Sequence, residues 1–360
     1  MRISLLLLAA SVASAGTLRQ RADPASQFSS FHLLSISDAR DRKDLDGKNF
    51  EQPNSVTSGL SNAAAIDTPQ SRACRASPNV RYEWRDYSQS DRLALMKAIK
   101  CLLDTPPSGN FPPSANRYED YARLHQLYTP NVHGNSKFLV WHRVFLFHFE
   151  QELRRTCRFD RAFVWWDETK DAGAFAKSDL FTQPYYGNLL PPQANGQGWC
   201  INSGAFGGIT INIGPGNTNT PHCLTRAVNE QLTAECNAGY VQLCNGRGTY
   251  AEYLSCINGG PHAYGHNGIG AVMSDMSSSP SDPIFYQHHA FVDRCFRVWQ
   301  NADPERTVTI NGNDAFGTPV TMDTGLFFGG LAPDVKVSDV MDTLSGTVIG
   351  GVPFCYRYNY

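Results

Sequence analysis

The sequence predicts a mainly α-helical domain built on a four-helix core of two helix pairs, with long loops, short peripheral β-strands and disulfide braces. Three observations predict it. Helical apolar runs at 93–103, 117–128, 138–157 and 285–299 carry the chain's main periodicity. Ten cysteines follow an N-terminal secretory signal, as in extracellular folds stapled by disulfides. The tail from Thr307 to Tyr360 alternates and turns like short strands.

With 360 residues, 41% of them apolar, the chain has material for one large domain or two small ones. Its formal charge is −2 and no long block of one sign occurs, which excludes a broad basic surface for nucleic acid. The partners expected are therefore small molecules.

Residues 1–15, MRISLLLLAASVASA, combine Arg2, an apolar run from Leu5 to Ala10 and the small triplet Ala13-Ser14-Ala15. This is the pattern of a secretory signal cleaved after Ala15, and the run is too short to span a bilayer. A secreted protein with no membrane association after cleavage is expected. The even number of cysteines and the lack of close CxxC pairs are consistent with all ten being paired. No N-x-[ST] sequon is present.

Residues 16–72 are polar, with a charged patch from Asp38 to Lys48, and read as a flexible leader or pro-segment in which His32 has no role. The domain proper is expected over 73–360. A helix from Ser90 to Asp104 follows a capping Ser90, and RYEDYARLHQLY forms a second with His125 near its end. Thr129-Pro130-Asn131 breaks that helix and puts His133 on a loop. The apolar run 138–157 is a helix carrying His142, with Arg154, Arg155 and Arg158 at the negative end of its dipole. Phe163–Thr169 leads into a buried segment, and 178–220 reads as loops with short strands. Helical pieces follow around 221–236 and 245–256. In 281–300 a helix places Phe285, His289, Phe296 and Trp299 on roughly one face.

The histidines then stand out. His125, His133 and His142 are spaced by eight and nine; His262 and His266 are four apart and precede the pair His288-His289. Any one alone is as readily a hydrogen-bonded core or surface residue, and a lone HxxxH is weak. The set is not: seven of ten histidines fall in two clusters embedded in aromatic, apolar sequence, where an unligated imidazole is costly to bury. Two sets of three imidazoles point to two metal ions. Zinc hydrolase and facial-triad iron sites usually include a carboxylate or thiolate, whereas neutral nitrogens alone suit copper. Two facing copper ions, each cycling by one electron, suit a two-electron oxidation with dioxygen.

The pattern H-x7-H-x8-H, followed by HxxxH and DPxFxxHHxxxDR, resembles the tyrosinase, catechol oxidase and haemocyanin group, the type 3 copper proteins. The resemblance runs from Cys74 to the end, and its opening CRASPNVRYEWRDYSQSDRLALMKAIKCL is similar to short secreted fungal members. It implies a dinuclear copper site with His125, His133 and His142 on one ion and His262, His266 and His289 on the other. His288 is then the neighbour of a ligand, and His148 is structural. Phe285 is implied to pack on a ligand imidazole, and Asp293 with Arg294 to join a buried polar network. The closing Tyr356-Arg357-Tyr358 resembles the motif that ends the family's catalytic domain.

Three departures from the family pattern follow. The chain stops at Tyr360, so no C-terminal shielding domain is expected. Asn131 stands where many relatives carry a cysteine linked to the second histidine by a thioether, so that crosslink cannot form. In monophenol hydroxylases the residue after the first histidine of the second cluster is often an asparagine that orients, with a glutamate, a phenol-deprotonating water; here it is Ala263, with Asn267 and Glu252 as candidate substitutes. The function implied is oxidation of o-diphenols to o-quinones by dioxygen. A tyrosinase or o-aminophenol oxidase of pigment or secondary metabolism is the alternative, and a haemocyanin-like oxygen carrier a further one. Natural substrate, disulfide map and oligomeric state are not legible.

Overall fold

The computed structural model of the protein describes residues 30–45 and 67–360, so the signal expected at 1–15 lies outside the described residues. The helices run in the order α1 (Ile36–Arg40), α2 (Pro69–Ala76), α3 (Gln89–Asp104), α4 (Arg117–Val132), α5 (Phe138–Cys157), α6 (Glu230–Thr233), α7 (Ala238–Asn245), α8 (Tyr250–Ile257), α9 (Ala263–Ile269), α10 (Phe285–Asn301) and α11 (Val337–Val340). A π-helical turn, Asn258–His262, joins α8 to α9. The centre is the expected four-helix core, made by α4, α5, the π turn with α9, and α10.

At its heart is α5. Every residue from Phe138 through Leu153 is buried, including Arg143 and His148. A helix buried all round needs partners on every side; here they are α3, α4, α10 and the C-terminal tail. Phe145 stacks on Trp141 at 4.9 Å and Phe149 on Tyr286 of α10 at 3.4 Å. Each such ring contributes about 1.5–3 kcal/mol through removal from water. Arg158, in the left-handed conformation, ends the helix, and its N–H bonds the Leu153 carbonyl.

The cap of helix α3 lies two residues earlier than expected: it is Ser88, whose side chain accepts from the Asp91 N–H, and Ser90 lies inside the helix. Helix α4 is capped by Asn116 and does not stop before Pro130. Proline removes only its own N–H, and with two residues left the helix continues to Val132, leaving His133 as the C-cap in extended conformation. The imidazole of His133 is thus set by a helix end and not by a free loop.

The strand Asn79–Glu83 is the middle of a three-stranded parallel sheet, with Tyr356–Tyr358 on one side and Val164–Trp165 on the other. The remaining strands are two-residue pairs in the loops and tail. Four disulfides brace the fold: Cys74–Cys355, Cys101–Cys157, Cys200–Cys223 and Cys244–Cys256. Full pairing of the ten cysteines is not observed. Cys236 and Cys295 are free thiols, both fully buried.

The expected leader is also not all flexible. Within 16–72, residues 30–45 form α1 and a following short helical turn that lie against the domain, and α2 begins at Pro69. The Leu34 N–H donates to the Gly259 carbonyl at 2.7 Å, Tyr240 donates to the Leu34 carbonyl at 2.6 Å, and Arg247 donates to the Ala39 carbonyl at 2.6 Å. Among the described residues, no helix is long and apolar enough to cross a membrane.

Candidate metal centre

The helices bring the two histidine sets to one place. In the first, His125 comes from α4, His133 from its C-cap and His142 from the first turns of α5, with ring centroids 4.9–5.4 Å apart. In the second, His262 comes from the π turn, His266 from α9 and His289 from α10, at 4.7–5.2 Å. Within each group, with His288 counted in the second, the donor atoms lie within 4.8 Å of one another. The two groups touch: His142 and His289 stack at 4.5 Å, and Phe138 wedges between His142 and His262.

The local backbone explains the aim of each ring. The turn at Gly260, outside helical dihedrals, widens the helix before His262, and a β-carbon there would meet the Tyr240 ring at 2.7 Å. After α9, Gly270 at φ +75° turns the chain back so that the Met273 carbonyl reaches the His266 ring. A carbonyl oxygen only accepts, so a ring nitrogen facing one must carry the proton. The Nδ1–H groups donate in this way from His125 to Ser277 (3.0 Å), His133 to Thr129 (3.2 Å), His142 to Phe138 (2.8 Å), His262 to Asn258 (3.1 Å) and His266 to Met273 (2.7 Å). Five Nε2 lone pairs are thereby turned inward. This is the outer bonding that fixes metal-binding tautomers.

Four of those lone pairs find no protein donor. The Nε2 atoms of His133 and His262 have no partner, and Nε2 of His125 faces Nε2 of His142 at 3.3 Å. With both protons on Nδ1, that pair cannot be a hydrogen bond. In the second set, Nε2 of His266 faces Nε2 of His289 at 3.1 Å, and His289 Nδ1 is without a partner. Two donors each about 2.0–2.1 Å from one ion at a near-tetrahedral angle lie roughly this far apart. Burial, reinforced by the neighbouring imidazoles, pushes the pKa of all six well down, to about 4 for His133 where burial acts alone against one carbonyl bond. They are neutral and ready to ligate. The residues fit two metal ions, and neither group contains a carboxylate.

The other expected residues separate into those at the site and those away from it. Phe285 lies on His289 at 4.1 Å and edge-on to His125 at 5.4 Å, so it packs against both sets. His288 stands behind the second set, its Nδ1 bonded to Glu168 at 2.6 Å. His148 donates to the Pro333 carbonyl and takes no part. Asp293 is buried in a network with Arg143, Arg81, Tyr356 and Tyr358. Arg294 does not join it: one residue on, it turns outward, bonding the Tyr360 carbonyl and lying over Trp165. Ala263 is buried beside His262. Asn267 and Glu252 do not come together as a water-holding pair. The Asn267 amide clasps the Phe31 backbone, while Glu252 closes the capping box of α8 and pairs with Arg42. Asn131 is half-buried near the end of α4, with its carbonyl bonded to Asn135.

Residues 115–302 match the family profile described as the common central domain of tyrosinase. The chain belongs to the tyrosinase family. Tyrosinases bind a dinuclear copper site and act on phenolic substrates with dioxygen, and the chain is an oxidoreductase of this kind. It is 31% identical to tyrosinase P of Aspergillus terreus over 334 residues, covering 78% of this chain and 92% of that one. It is 26% identical to the N-acetyl-6-hydroxytryptophan oxidase ivoB of Emericella nidulans, covering 82% and 95%. Among solved tyrosinase folds, a polyphenol oxidase from Thermothelomyces thermophila superposes with a TM-score of 0.70 at 24% identity, over 80% of this chain and 92% of that one.

Three residues at the tyrosinase site were not legible in the sequence. Glu168, Phe138 and Phe31 lie far from the motifs along the chain or look like ordinary core residues. Of these Phe31 is the least foreseeable, since it belongs to a polar leader. Its ring stacks on His266 at 4.1 Å and 20°.

Proposed function

We propose that the protein is a secreted copper-dependent oxidase that converts o-diphenols to o-quinones. The observation that carries this reading is the convergence of five inward Nε2 lone pairs, with His289, in two carboxylate-free buried groups. His125, His133 and His142 would hold one copper, and His262, His266 and His289 the other. When bound, the coppers supply the dioxygen site and the electron sink. Each catechol gives up two electrons and two protons, so two catechols reduce one dioxygen to two waters.

The chain's own residues do the rest. The carbonyl bonds keep five of the six ligand rings from turning. Phe138 and Phe285 exclude water between and behind the rings, which lowers the local dielectric. Preference for diphenols rests on Ala263, which can neither accept a hydrogen bond nor hold a water, and on the engagement of Asn267 and Glu252 elsewhere. A catechol releases its first proton more readily than a monophenol and needs no such helper. The disulfides support an oxidising destination.

Oxygen uptake by copper-loaded protein tests the reading, with 4-tert-butylcatechol and tyramine run side by side on the intact chain and on Phe31→Ala. Oxidation of the catechol with little of tyramine is expected, at two coppers per chain. Comparable rates on tyramine would overturn the diphenol preference, and zinc as the only metal after secretion into copper-containing medium would overturn the oxidase.

A further inference from the structure

We infer that residues 30–45 are an intramolecular plug, and that the Phe31 ring occupies the position where an aromatic substrate ring binds; this rests on the oxidase reading above. Phe31 is 6% exposed although it lies in a polar, peripheral stretch. Its ring is stacked on His266 and edge-on to His262 at 5.1 Å and 88°, and it lies 6.2 Å from His133 of the other set. One ring thus contacts both groups. Flat contact with a face and an edge is how a phenol ring would bind here.

The segment is pinned for this purpose at several points. Asn267 bonds both the N–H and the carbonyl of Phe31, at 3.3 and 2.7 Å. Arg42 pairs with Glu252, and Asp44 with Arg247. Beside the ring lies a cavity of about 640 Å³, bounded by Phe31, His133, Gly134, Asn258 and Met276. That is the size of a small-molecule site, lying next to a ring position already filled. A tethered ring competes at an effective concentration of about millimolar, so dilute free phenols meet a closed site. Arg40, Arg42 and Lys43 are exposed, so one trypsin-type cut separates Phe31 from the chain that tethers it.

The test uses copper-loaded full-length protein, Phe31→Ala and Arg42→Glu. The second variant keeps the ring and sets a like charge against Glu252. Two readouts are taken: catechol kcat/KM, and calorimetric binding of benzoate, an aromatic acid with no oxidisable hydroxyl. Both variants, and intact protein cut at Arg40–Lys43 as mapped by mass, are expected to gain roughly tenfold or more in catechol kcat/KM. They should bind benzoate where the intact chain does not. Equal benzoate affinity and equal KM in all forms would overturn the plug while leaving the oxidase intact. Benzoate binding gained by the variants with no catechol turnover in any form would uphold the plug and overturn the oxidase.

Discussion

Arg143 donates through Nε to Asp293 at 2.6 Å, and neither side chain reaches solvent. The pair joins α5 to α10 and so holds one histidine set against the other. Arg143 also donates to the Met341 carbonyl and to Gln300, while Asp293 accepts from Tyr356 and Tyr358 at 2.6 Å each. Burial alone would raise the Asp293 pKa; Arg143 and Arg81 outweigh it and hold the carboxyl below its ordinary range. Its stabilisation is therefore present above roughly pH 3.9 and is lost as the pH falls through the lowered value. Asp293→Ala leaves the buried Arg143 without a carboxylate partner, while Arg81 keeps Glu150, and should cost about 3–5 kcal/mol in denaturant unfolding. A loss under about 1 kcal/mol would show that the network is not what fixes the two helices.

Glu168 and His288 form a buried pair directly behind the second histidine set. The fit is close: a β-carbon on Gly265 would meet the His288 ring at 2.5 Å and Glu168 at 2.9 Å. Glu168→Ala frees His288 to rotate toward its neighbours, His262 and His266. Copper affinity at the second set should drop by about 10–100-fold while the first is unchanged. Metal titration would then show two separated steps, and a single unchanged step would refute the coupling.

His289 and His288 are separable by substitution. His289→Gln is expected to leave one copper per chain and to lower catechol turnover by at least about 100-fold, since each set needs three nitrogens. His288→Gln is expected to retain both ions. Metal analysis of the two variants decides which is the ligand, and the reverse pattern would exchange their roles.

His148 is buried away from the metal site, with its pKa lowered to about 4 by desolvation, opposed by its bond to Pro333. A histidine kept neutral in the folded state stabilises fully above the unfolded value near 6.5 and progressively less as the pH falls toward about 4. Of the stability lost over that window, His148 should account for about 3 kcal/mol. His148→Gln keeps a donor for the carbonyl and removes the titration. Urea unfolding at pH 7 and at pH 4.5 should therefore show a smaller acid loss in the variant, and an equal loss would exclude His148 as a contributor.

Cys236 and Cys295 should resist thiol reagents in the native protein. Burial pushes both thiols up, Cys295 to about 12, so neither offers thiolate at neutral pH. Labelling with a maleimide is expected at no site when folded and at two after denaturation without reductant. Rapid labelling of the native protein would contradict their burial.

The legible part of the site was the part written in local patterns. The histidines, the apolar run 138–157 and the DPxFxxHHxxxDR motif lie on helices or at their ends, where periodicity reports burial. The misjudged parts depend on contacts far apart in sequence. Full cysteine pairing followed from an even count, but Cys236 and Cys295 sit in the core where an apolar thiol packs as well as a disulfide. The resemblance implies Asp293 and Arg294 for the buried network; Asp293 lies in it, but the arginine it pairs with, Arg143, is 150 residues away. Polar composition marks 16–72 as leader, and nothing in it distinguishes Phe31 from Phe28 and Phe50 as the ring that reaches a histidine.

The Cys74–Cys355 bridge, between residues 281 apart in sequence, closes the chain between them into a covalent ring. A single backbone cut anywhere inside that ring yields a nicked molecule and not two pieces, so loops such as 185–220 can be clipped without shedding half of the metal site. Residues 30–45 lie outside the ring. A cut at Arg40–Lys43 is therefore not held together by this bridge, and what it detaches is the segment that carries Phe31.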